Sequence, residues 1–252
     1  MIPIDLTGRN ALVTGGAAGL GRAISETLGL AGAAVAVVDI DLAGAQRTAE
    51  QIVGSGGRAV ALRCDVASPE AVTSLRRQVA EQLGAVDILI NNAGIIRYSR
   101  GIANITLADW DRLLTVNLRG AFLMSQAFLE GMKARGWGRI VCLSSLAARV
   151  GGIEVGCDYT ASKAGLIGLG RTLAKEGAPF GVTVNLVAPG IMATGPVQAQ
   201  MAGREDQVAA GIPLGRLGQP QDVANGVLFL CSSLADYITG IVVDINGGMY
   251  MG

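Results

Sequence analysis

Short apolar runs alternate along the chain with longer segments whose apolar positions recur at helical spacing. Seven of the short runs are almost continuously hydrophobic, as parallel strands buried on both faces usually are: Ala11–Thr14, Ala34–Asp39, Ala59–Asp65, Val86–Asn91, Arg139–Ser144, Thr183–Ala188 and Ile241–Ile245. Six longer segments are predicted helices: Gly21–Ala31, Leu42–Gly54, Pro69–Leu83, Leu107–Arg135, Tyr159–Ala178 and Pro220–Ser233. This alternation predicts one α/β domain over residues 1–252, a doubly wound sheet of seven parallel strands with helices on both faces.

The longest segment without a regular pattern covers residues 190–217 and is rich in Gly, Ala and Met, with prolines at positions 196 and 213. A connection of this length inside a compact domain is usually functional. We therefore expect it to be a substrate-binding lid.

The composition fits a globular protein with a large core, since 50% of the residues are hydrophobic and 16% are charged. Twenty basic residues balance twenty acidic ones without a long basic stripe, and aromatic residues make up only 4%. Nucleic acid is therefore not an expected partner.

The longest apolar run, around Leu28–Val38, is shorter than the roughly 20 residues of a membrane span. No signal peptide is recognisable, so we expect a cytoplasmic, soluble protein without membrane association.

The four cysteines are widely scattered, and the chain contains no histidine. Without a CxxC pair or a histidine, a zinc site is not predicted, and no other metal is expected. The cysteines are interpreted as small buried hydrophobic residues in a reducing compartment.

A glycine-rich stretch, TGGAAGLG at Thr14–Gly21, follows the first predicted strand and begins the first predicted helix. Its glycines depart from the strict GxGxxG spacing, but they still permit a tight turn in front of a helix N-terminus. Free backbone amides at such a turn bind a pyrophosphate. The stretch therefore predicts a Rossmann-type dinucleotide site, with Gly15, Gly19, Leu20 and Gly21 as candidate contacts.

An acidic residue, Asp39, ends the second predicted strand 18 residues after Gly21. A carboxylate at this place accepts hydrogen bonds from the adenosine ribose hydroxyls and repels a 2′-phosphate. No Arg or Lys occupies the nearest candidate positions, which are Gly16, Ile40 and Asp41. NAD is thus favoured over NADP as the cofactor.

In CDYTASKAG, residues 157–165, Tyr159 and Lys163 are four residues apart and share one face of a predicted helix. A tyrosine titrates near pH 10, but a neighbouring ammonium and an oxidised nicotinamide would lower its pKa. Tyr159 could then act as a general acid or base. The spacing alone is more typical of an ordinary surface pair.

Further motifs follow in order: Asp65-Val66, NNAG at Asn91–Gly94, the serine pair Ser144-Ser145, and APG at Ala188–Gly190 with Thr194 after it. Together with TGGAAGLG and YTASK they resemble the short-chain dehydrogenase/reductase family in its single-domain form. The resemblance extends from about Leu6 to Gly248. It implies an NAD(P)-dependent oxidoreductase.

The resemblance also implies a role for each matching catalytic residue. Tyr159 would be the acid/base, and Lys163 would hold the nicotinamide ribose and lower the pKa of the phenol. Ser145 would bind the substrate oxygen. Asn117 would maintain a helix kink and a water that links Lys163 to solvent. Because the spacing from Ser145 to Tyr159 is one residue longer than is commonest in the family, Ser144 stays the alternative serine.

For the cofactor, the resemblance implies contacts of Asp65 with adenine, Asn91 with the adenosine ribose, and Ile191 with Thr194 at the carboxamide end. The remaining candidate cofactor contacts are Val66, Ala93, Gly94, Tyr159, Lys163, Pro189 and Gly190. The candidate substrate contacts are Ser145, Ala147, Glu154, Tyr159 and Met192, and Ile95, Ile96 and Cys157 are expected nearby.

The expected reaction is hydride transfer between NAD and a small-molecule secondary alcohol or ketone, with a polyol, a sugar or a hydroxyacyl compound as possible substrates. One alternative is a 3-oxoacyl-[acyl-carrier-protein] reductase, which Asp39 disfavours and which Arg97, Arg100 and Arg149 keep open. A second alternative, from another class, is a catalytically silent dinucleotide sensor. The resemblance further suggests a homotetramer in which the helices Leu107–Arg135 and Tyr159–Ala178 pair across one interface and the C-terminal strand lies near another.

Overall fold

Seven parallel strands form the central sheet of this computed structural model, which describes residues 4–98, 101–152 and 154–252. The strands are β1 Asn10–Thr14, β2 Ala34–Asp39, β3 Arg58–Arg63, β4 Ile88–Asn91, β5 Gly138–Leu143, β6 Val182–Pro189 and β7 Val242–Ile245. Their order in the sheet is β3-β2-β1-β4-β5-β6-β7, and every neighbouring pair is parallel. The predicted doubly wound α/β fold is confirmed.

Helices cover both faces of this sheet: α1 Gly19–Leu30, α2 Leu42–Gly54, α3 Pro69–Gln82, α4 Leu107–Leu114, α5 Gly120–Arg135, α6 Ala147–Val150, α7 Cys157–Gly177, α8 Gly195–Met201, α9 Glu205–Ala210 and α10 Pro220–Cys231. Neighbouring residues of one strand point to opposite faces, so Leu12 packs into one core and Val13 into the other. Both cores exclude water, which explains why the strands are hydrophobic without alternation.

The first core contains residues of α3, α5 and α7, and the second contains residues of α1, α2 and α10. Because β1 pairs with β2 on one side and with β4 on the other, the order of the strands reverses beside β1. The loops after these strands leave the sheet in opposite directions. A crevice at the carboxyl ends results, and this is the place where ligands bind in open α/β sheets.

Two predicted segments differ from the structure in detail. The helix predicted over Leu107–Arg135 is divided into α4 and α5 by a π-helical turn at Thr115–Arg119. Residues 190–217, which lack a clear pattern, contain the two short helices α8 and α9. Short amphipathic helices of six or seven residues carry too few periods to be recognised in a sequence.

Among the described residues, no helix combines the length and the apolar character that a membrane span requires.

Candidate active site

A cavity of about 1150 Å³ lies at the carboxyl edge of the sheet. It brings together most of the predicted site residues: Gly15, Gly19, Leu20, Gly21, Asp39, Asp65, Val66, Ala93, Gly94, Ser145, Ala147, Glu154, Tyr159, Lys163, Pro189, Gly190, Ile191, Met192 and Thr194. These residues come from the ends of six strands, β1 to β6, and from the segments that follow them. Parallel strands deliver them to one edge, although they are far apart in the sequence.

The glycine-rich loop is a tight turn that has no room for side chains. Gly15 and Gly19 have positive φ angles of 66° and 55°, which favour glycine. A Cβ on Gly21 would lie 2.0 Å from the carbonyl oxygen of Gly15. Nδ2 of Asn92 donates to the carbonyl oxygens of Thr14 (2.9 Å) and Gly15 (3.0 Å) and so fixes the turn from outside. The backbone amides at the start of α1 are thereby left open to a pyrophosphate.

The carboxylate of Asp39 stands at the end of β2 and contacts the same loop. Its Oδ2 accepts from the amide of Ala17 and its Oδ1 from the amide of Asp41, both at 3.0 Å. Each oxygen keeps a second lone pair for a ribose hydroxyl. Arg63 is opposite Asp39 in the strand register, and its Nε donates to the carbonyl of Ile40 at 3.3 Å. The sequence analysis considered only positions close to Asp39 in the chain and missed Arg63, because this residue belongs to the neighbouring strand.

Asn91 is buried and is not one of the residues that line the cavity. Its Nδ2 donates to Oγ of Ser125 at 3.1 Å and lies 3.6 Å from Sγ of Cys142. The side chain of Asn91 therefore does not line the cavity in which the contact of Asn91 with the adenosine ribose was predicted. The physical reason is the alternation of a strand, which directs Asn91 into the core and leaves Asn92 at the cavity.

Lys163 and Tyr159 both lie on α7, with Nζ of Lys163 5.8 Å from the centroid of the Tyr159 ring. The Lys163 side chain is buried, and Nζ donates to the carbonyl oxygen of Leu143 at 2.7 Å. Burial lowers the pKa of this ammonium to about 8. Lys163 is therefore a cation close to its own titration point, held next to the phenol.

The pKa of Tyr159 is raised above its ordinary value, first by burial of the phenol and also by the neighbouring Tyr98, while a hydrogen bond with Ser145 lowers it. Burial thus acts against the lowering of the pKa that was predicted for Lys163 together with an oxidised nicotinamide. The desolvation of the phenol dominates, and the ammonium of Lys163 is bound to a backbone carbonyl. The phenol of Tyr159 is accordingly neutral at neutral pH.

The two serines after β5 have separate partners. Oγ of Ser144 is buried and donates to the carbonyl oxygen of Lys163 at 2.8 Å, so it fixes the backbone of α7. Oγ of Ser145 accepts from the amide of Ala147 at 3.1 Å and lies close enough to the phenol of Tyr159 to lower the pKa of that phenol. The structure thus places Ser145, and not Ser144, next to the tyrosine.

Asn117 lies in the π-helical turn, where it is fully buried. Its Oδ1 accepts from the amide of Ile95 at 2.8 Å, and its Nδ2 donates to the carbonyl of Ile95 (2.9 Å) and to Oγ of Ser162 (3.2 Å). A Cβ built on Gly94 would lie 3.2 Å from Oδ1 of Asn117 and 3.4 Å from Nζ of Lys163. The expected irregularity of the helix is present at Asn117, which joins α4 and α5 to the cavity wall without lining the cavity.

A family model described as enoyl-(acyl carrier protein) reductase matches residues 15–250 of the chain. The 3-oxoacyl-[acyl-carrier-protein] reductase FabG of Aquifex aeolicus (strain VF5) is 42% identical over 248 residues, which are 98% of this chain and 99% of that protein. The uncharacterized short-chain type dehydrogenase/reductase y4mP of Sinorhizobium fredii is 41% identical over 249 residues, 97% of this chain and 98% of its own length. The chain belongs to the short-chain dehydrogenase/reductase family.

A solved structure from Beutenbergia cavernae superposes on this short-chain dehydrogenase/reductase with a TM-score of 0.92 and 38% identity, covering 98% of each chain. That protein is provisionally assigned as an NAD(P) dependent gluconate 5-dehydrogenase, and it holds NADP at low occupancy. The predicted family is thus confirmed. The chain is an NAD(P)-dependent oxidoreductase that acts on CH–OH groups.

Sequence reasoning missed most of the substrate end of the cavity in this short-chain dehydrogenase/reductase. The additional lining residues there are Tyr98, Arg112, Leu146, Val150, Val155, Val197, Gln200, Met201 and Met249. They come from separate elements, and no motif marks them. Cys157, expected near the pocket, is exposed and does not line it. Arg100 lies outside the described residues.

Proposed function

We propose that the protein catalyses reversible hydride transfer between NAD and a secondary alcohol or ketone, with Ser145, Tyr159 and Lys163 as its catalytic residues. The observation that carries this proposal is their arrangement. The phenol of Tyr159 contacts Ser145, and Lys163 lies one helical turn away in the cavity that also contains the glycine-rich loop.

The residues of the cavity fit a nicotinamide dinucleotide, which accepts or donates the hydride when bound. The glycines at positions 15, 19 and 21 leave the first amides of α1 uncovered for the pyrophosphate. Asp39 and Asp65 would hold the adenosine end, and Ile191 and Thr194 would hold the carboxamide end. The cavity volume of about 1150 Å³ leaves room for a small substrate beside the cofactor.

The proposed proton transfer takes place at the phenolic oxygen of Tyr159. In reduction the neutral phenol gives its proton to the carbonyl oxygen, and in oxidation the phenolate takes the proton of the hydroxyl. The hydroxyl of Ser145 would donate a hydrogen bond to the same substrate oxygen and stabilise the charge that develops there. Lys163 would favour the phenolate and return a proton to it, because its ammonium loses a proton easily at a pKa of about 8.

The preference for NAD over NADP is supported by the carboxylate of Asp39 at the end of β2. Two observations favour NADP instead: Arg63 lies on the adjacent strand, and the Beutenbergia cavernae protein holds NADP. A direct comparison of kcat/KM for the two cofactors decides the question. We expect the larger value with NAD.

A 3-oxoacyl-[acyl-carrier-protein] reductase is the second candidate, supported by the relative from Aquifex aeolicus and by the apolar side chains at the substrate end, such as Ile95, Met192 and Met201. Two of the arginines that could contact an acidic carrier are occupied. Arg97 pairs with Asp109, and Arg149 forms a two-pronged ion pair with Asp244 at 2.7 and 3.1 Å. These contacts favour a small free substrate.

The test is a panel of polyols, sugar acids, apolar secondary alcohols and 3-hydroxyacyl thioesters, each with NAD and with NADP, followed by the absorbance of the reduced cofactor. Turnover of a free secondary alcohol with NAD supports the proposal. Turnover restricted to the acyl thioesters supports the second candidate. Tight cofactor binding without any turnover would instead support the sensor interpretation.

We also propose a cytoplasmic homotetramer that acts on a small alcohol or ketone without nucleic acid or membrane partners. The tetramer rests on the family resemblance and on partly exposed apolar residues at the two expected interfaces, Phe122 on α5 and Ile241 beside β7. Light scattering of the purified protein tests it. A monomer at micromolar concentration would contradict it.

A further inference from the structure

A cluster of three charged side chains lies outside the catalytic residues, at the beginning of α7. The guanidinium of Arg97 faces Asp109 of α4 with two nitrogens: Nη1 is 2.6 Å from Oδ2, and Nη2 donates to Oδ1 at 2.7 Å. Its Nε lies 3.6 Å from Oδ2 of Asp158 in the first turn of α7. One cation therefore connects carboxylates of two different helices.

The carboxylate of Asp158 depends on this cation. Its side chain is completely buried, and its Oδ1 accepts from the amide of Tyr159 at 2.9 Å. Its Oδ2 has no hydrogen-bond partner among the described residues, so Arg97 supplies the facing charge. Removal of one partner of a buried ion pair is strongly unfavourable, because the other charge is left uncompensated. The backbone amide that donates to Asp158 belongs to Tyr159, the proposed acid/base residue.

The backbone around Arg97 joins the same elements. Its carbonyl oxygen accepts from the amide of Gly156 at 3.1 Å, immediately before α7. Its neighbour Tyr98 forms an antiparallel bridge with Val155. Ile95 and Ile96, which precede Arg97, line the substrate end of the cavity. Arg97 thus stands where the cavity wall, α4 and the first turn of α7 meet.

We propose that Arg97 is a positioning residue: through Asp109 and Asp158 it fixes the first turn of α7, and hence the phenol of Tyr159, relative to the cavity wall. The inference rests on the proposed function only in taking Tyr159 as the acid/base. An arginine suits this place because its planar fork binds Asp109 with two nitrogens and still presents Nε to Asp158. A lysine offers a single point charge and cannot make all three contacts.

The test compares Arg97→Met, Arg97→Lys, and Arg97→Met combined with Asp158→Asn. The matched control is Arg135→Met, since Arg135 also pairs with a partly buried aspartate, Asp87 at 3.6 Å, but lies at the far end of α5. Four quantities are measured for each variant: kcat, KM, the NADH dissociation constant by fluorescence, and the hydrogen-exchange rate of the peptide that covers residues 155–163.

For Arg97→Met we expect kcat to fall roughly tenfold or more, because small misplacements of a reacting group have effects of this size. The affinity for NADH should stay within about twofold, since Arg97 does not contact the glycine-rich loop. The peptide 155–163 should exchange faster.

Adding Asp158→Asn should restore part of kcat. The new side chain keeps an oxygen that accepts from the backbone amide of Tyr159, and it carries no charge that needs a partner. Arg97→Lys should be intermediate, and Arg135→Met should match the parent in kcat.

Wild-type kcat and wild-type exchange in Arg97→Met would overturn the proposal, as would a combined variant no more active than Arg97→Met alone. If Arg97→Met does not fold, Arg97→Lys takes its place. Wild-type kcat and wild-type exchange in Arg97→Lys would then overturn the proposal. The exchange measurement needs no substrate. Tyr159→Phe, measured beside these variants, separates the two proposals: if it keeps full activity, the proposed function fails, whereas an inactive Tyr159→Phe beside a fully active Arg97→Met overturns only the role of Arg97.

Discussion

The cofactor end and the substrate end of the cavity are built in different ways. At the cofactor end the walls are backbone: a glycine-rich turn, the start of α1 and the Pro-Gly pair at the end of β6. At the substrate end the walls are side chains from unrelated places, such as Met201 of α8 and Met249 near the C-terminus. A wall made of backbone needs particular residue types at fixed spacings, whereas a side-chain wall needs only apolar volume. This difference explains why sequence motifs mark the cofactor end and do not mark the substrate end.

The strongest way to break the cofactor end is to add one methyl group to its backbone wall. In Gly21→Ala the new Cβ would meet the carbonyl oxygen of Gly15 at 2.0 Å. Overpacking of this kind costs about 1–3 kcal/mol or more. The turn must move to relieve it, so we expect the NADH affinity to fall by about 5- to 150-fold, the factors to which these energies correspond. Fluorescence titration measures the loss. In the control Gly54→Ala the new methyl group meets no atom within 4 Å, so unchanged binding is expected. Equal affinities of the two variants would show that the turn does not need its glycine.

The corresponding change at the substrate end removes a side chain instead. Met201 is buried and lines the cavity, so Met201→Ala should raise KM for an apolar substrate roughly tenfold. The NADH dissociation constant should stay the same, because the cofactor end is untouched. Steady-state kinetics together with the fluorescence titration check this division. Leu30→Ala, at an exposed position of α1, is the control. Weakened NADH binding in Met201→Ala would mean that the two ends are not separable.

Asp39 differs from the rest of the cofactor end, because it contributes a side chain to a wall that is mostly backbone. Asp39→Ala removes the proposed acceptor for the ribose hydroxyls and the charge that opposes a 2′-phosphate. A hydrogen bond to a charged group contributes about 1.5–3 kcal/mol, so kcat/KM with NAD should fall roughly tenfold. The ratio of NADP to NAD efficiency should rise. A constant ratio would mean that Asp39 does not select the cofactor and only supports the glycine-rich loop through its hydrogen bond with the amide of Ala17.

The smallest expected effect is on the pH dependence. Burial raises the pKa of Tyr159 and lowers that of Lys163 to about 8. Reduction needs the protonated forms of both groups, so its kcat should be constant around neutral pH and should fall as the pH passes about 8. Oxidation needs the phenolate, so its rate should rise over the alkaline range. Rate profiles in both directions check the signs. Parallel profiles in the two directions would contradict the assignment.

The sheet and the cofactor end could be predicted from sequence because they depend on local patterns. Strands buried on both faces are continuous apolar runs, and a turn such as Gly15–Gly21 needs glycine at particular positions. Asn91 shows the limit, since its motif places it correctly at the end of β4 but does not tell which face its side chain takes. Arg63 was missed because it approaches Asp39 across the sheet.

One contribution to the pKa of the Tyr159 phenol, its burial, could not be predicted from the sequence. Residue spacing shows that Lys163 is near Tyr159, but it does not show how much water either group loses. Burial of the phenol outweighs the neighbouring charge, and the ammonium is bound to the carbonyl of Leu143. Desolvation depends on the packing of the whole cavity, and no local motif encodes it.

The central claim is that one phenol transfers the proton during hydride transfer, and Tyr159→Phe tests it most directly. The variant removes a single oxygen and keeps the ring. We expect kcat to fall on the order of a thousandfold, as for the loss of a general acid or base, while the NADH dissociation constant stays within about twofold of the parent value. A Tyr159→Phe protein that binds NADH normally and turns over a secondary alcohol at the parent rate would contradict the account.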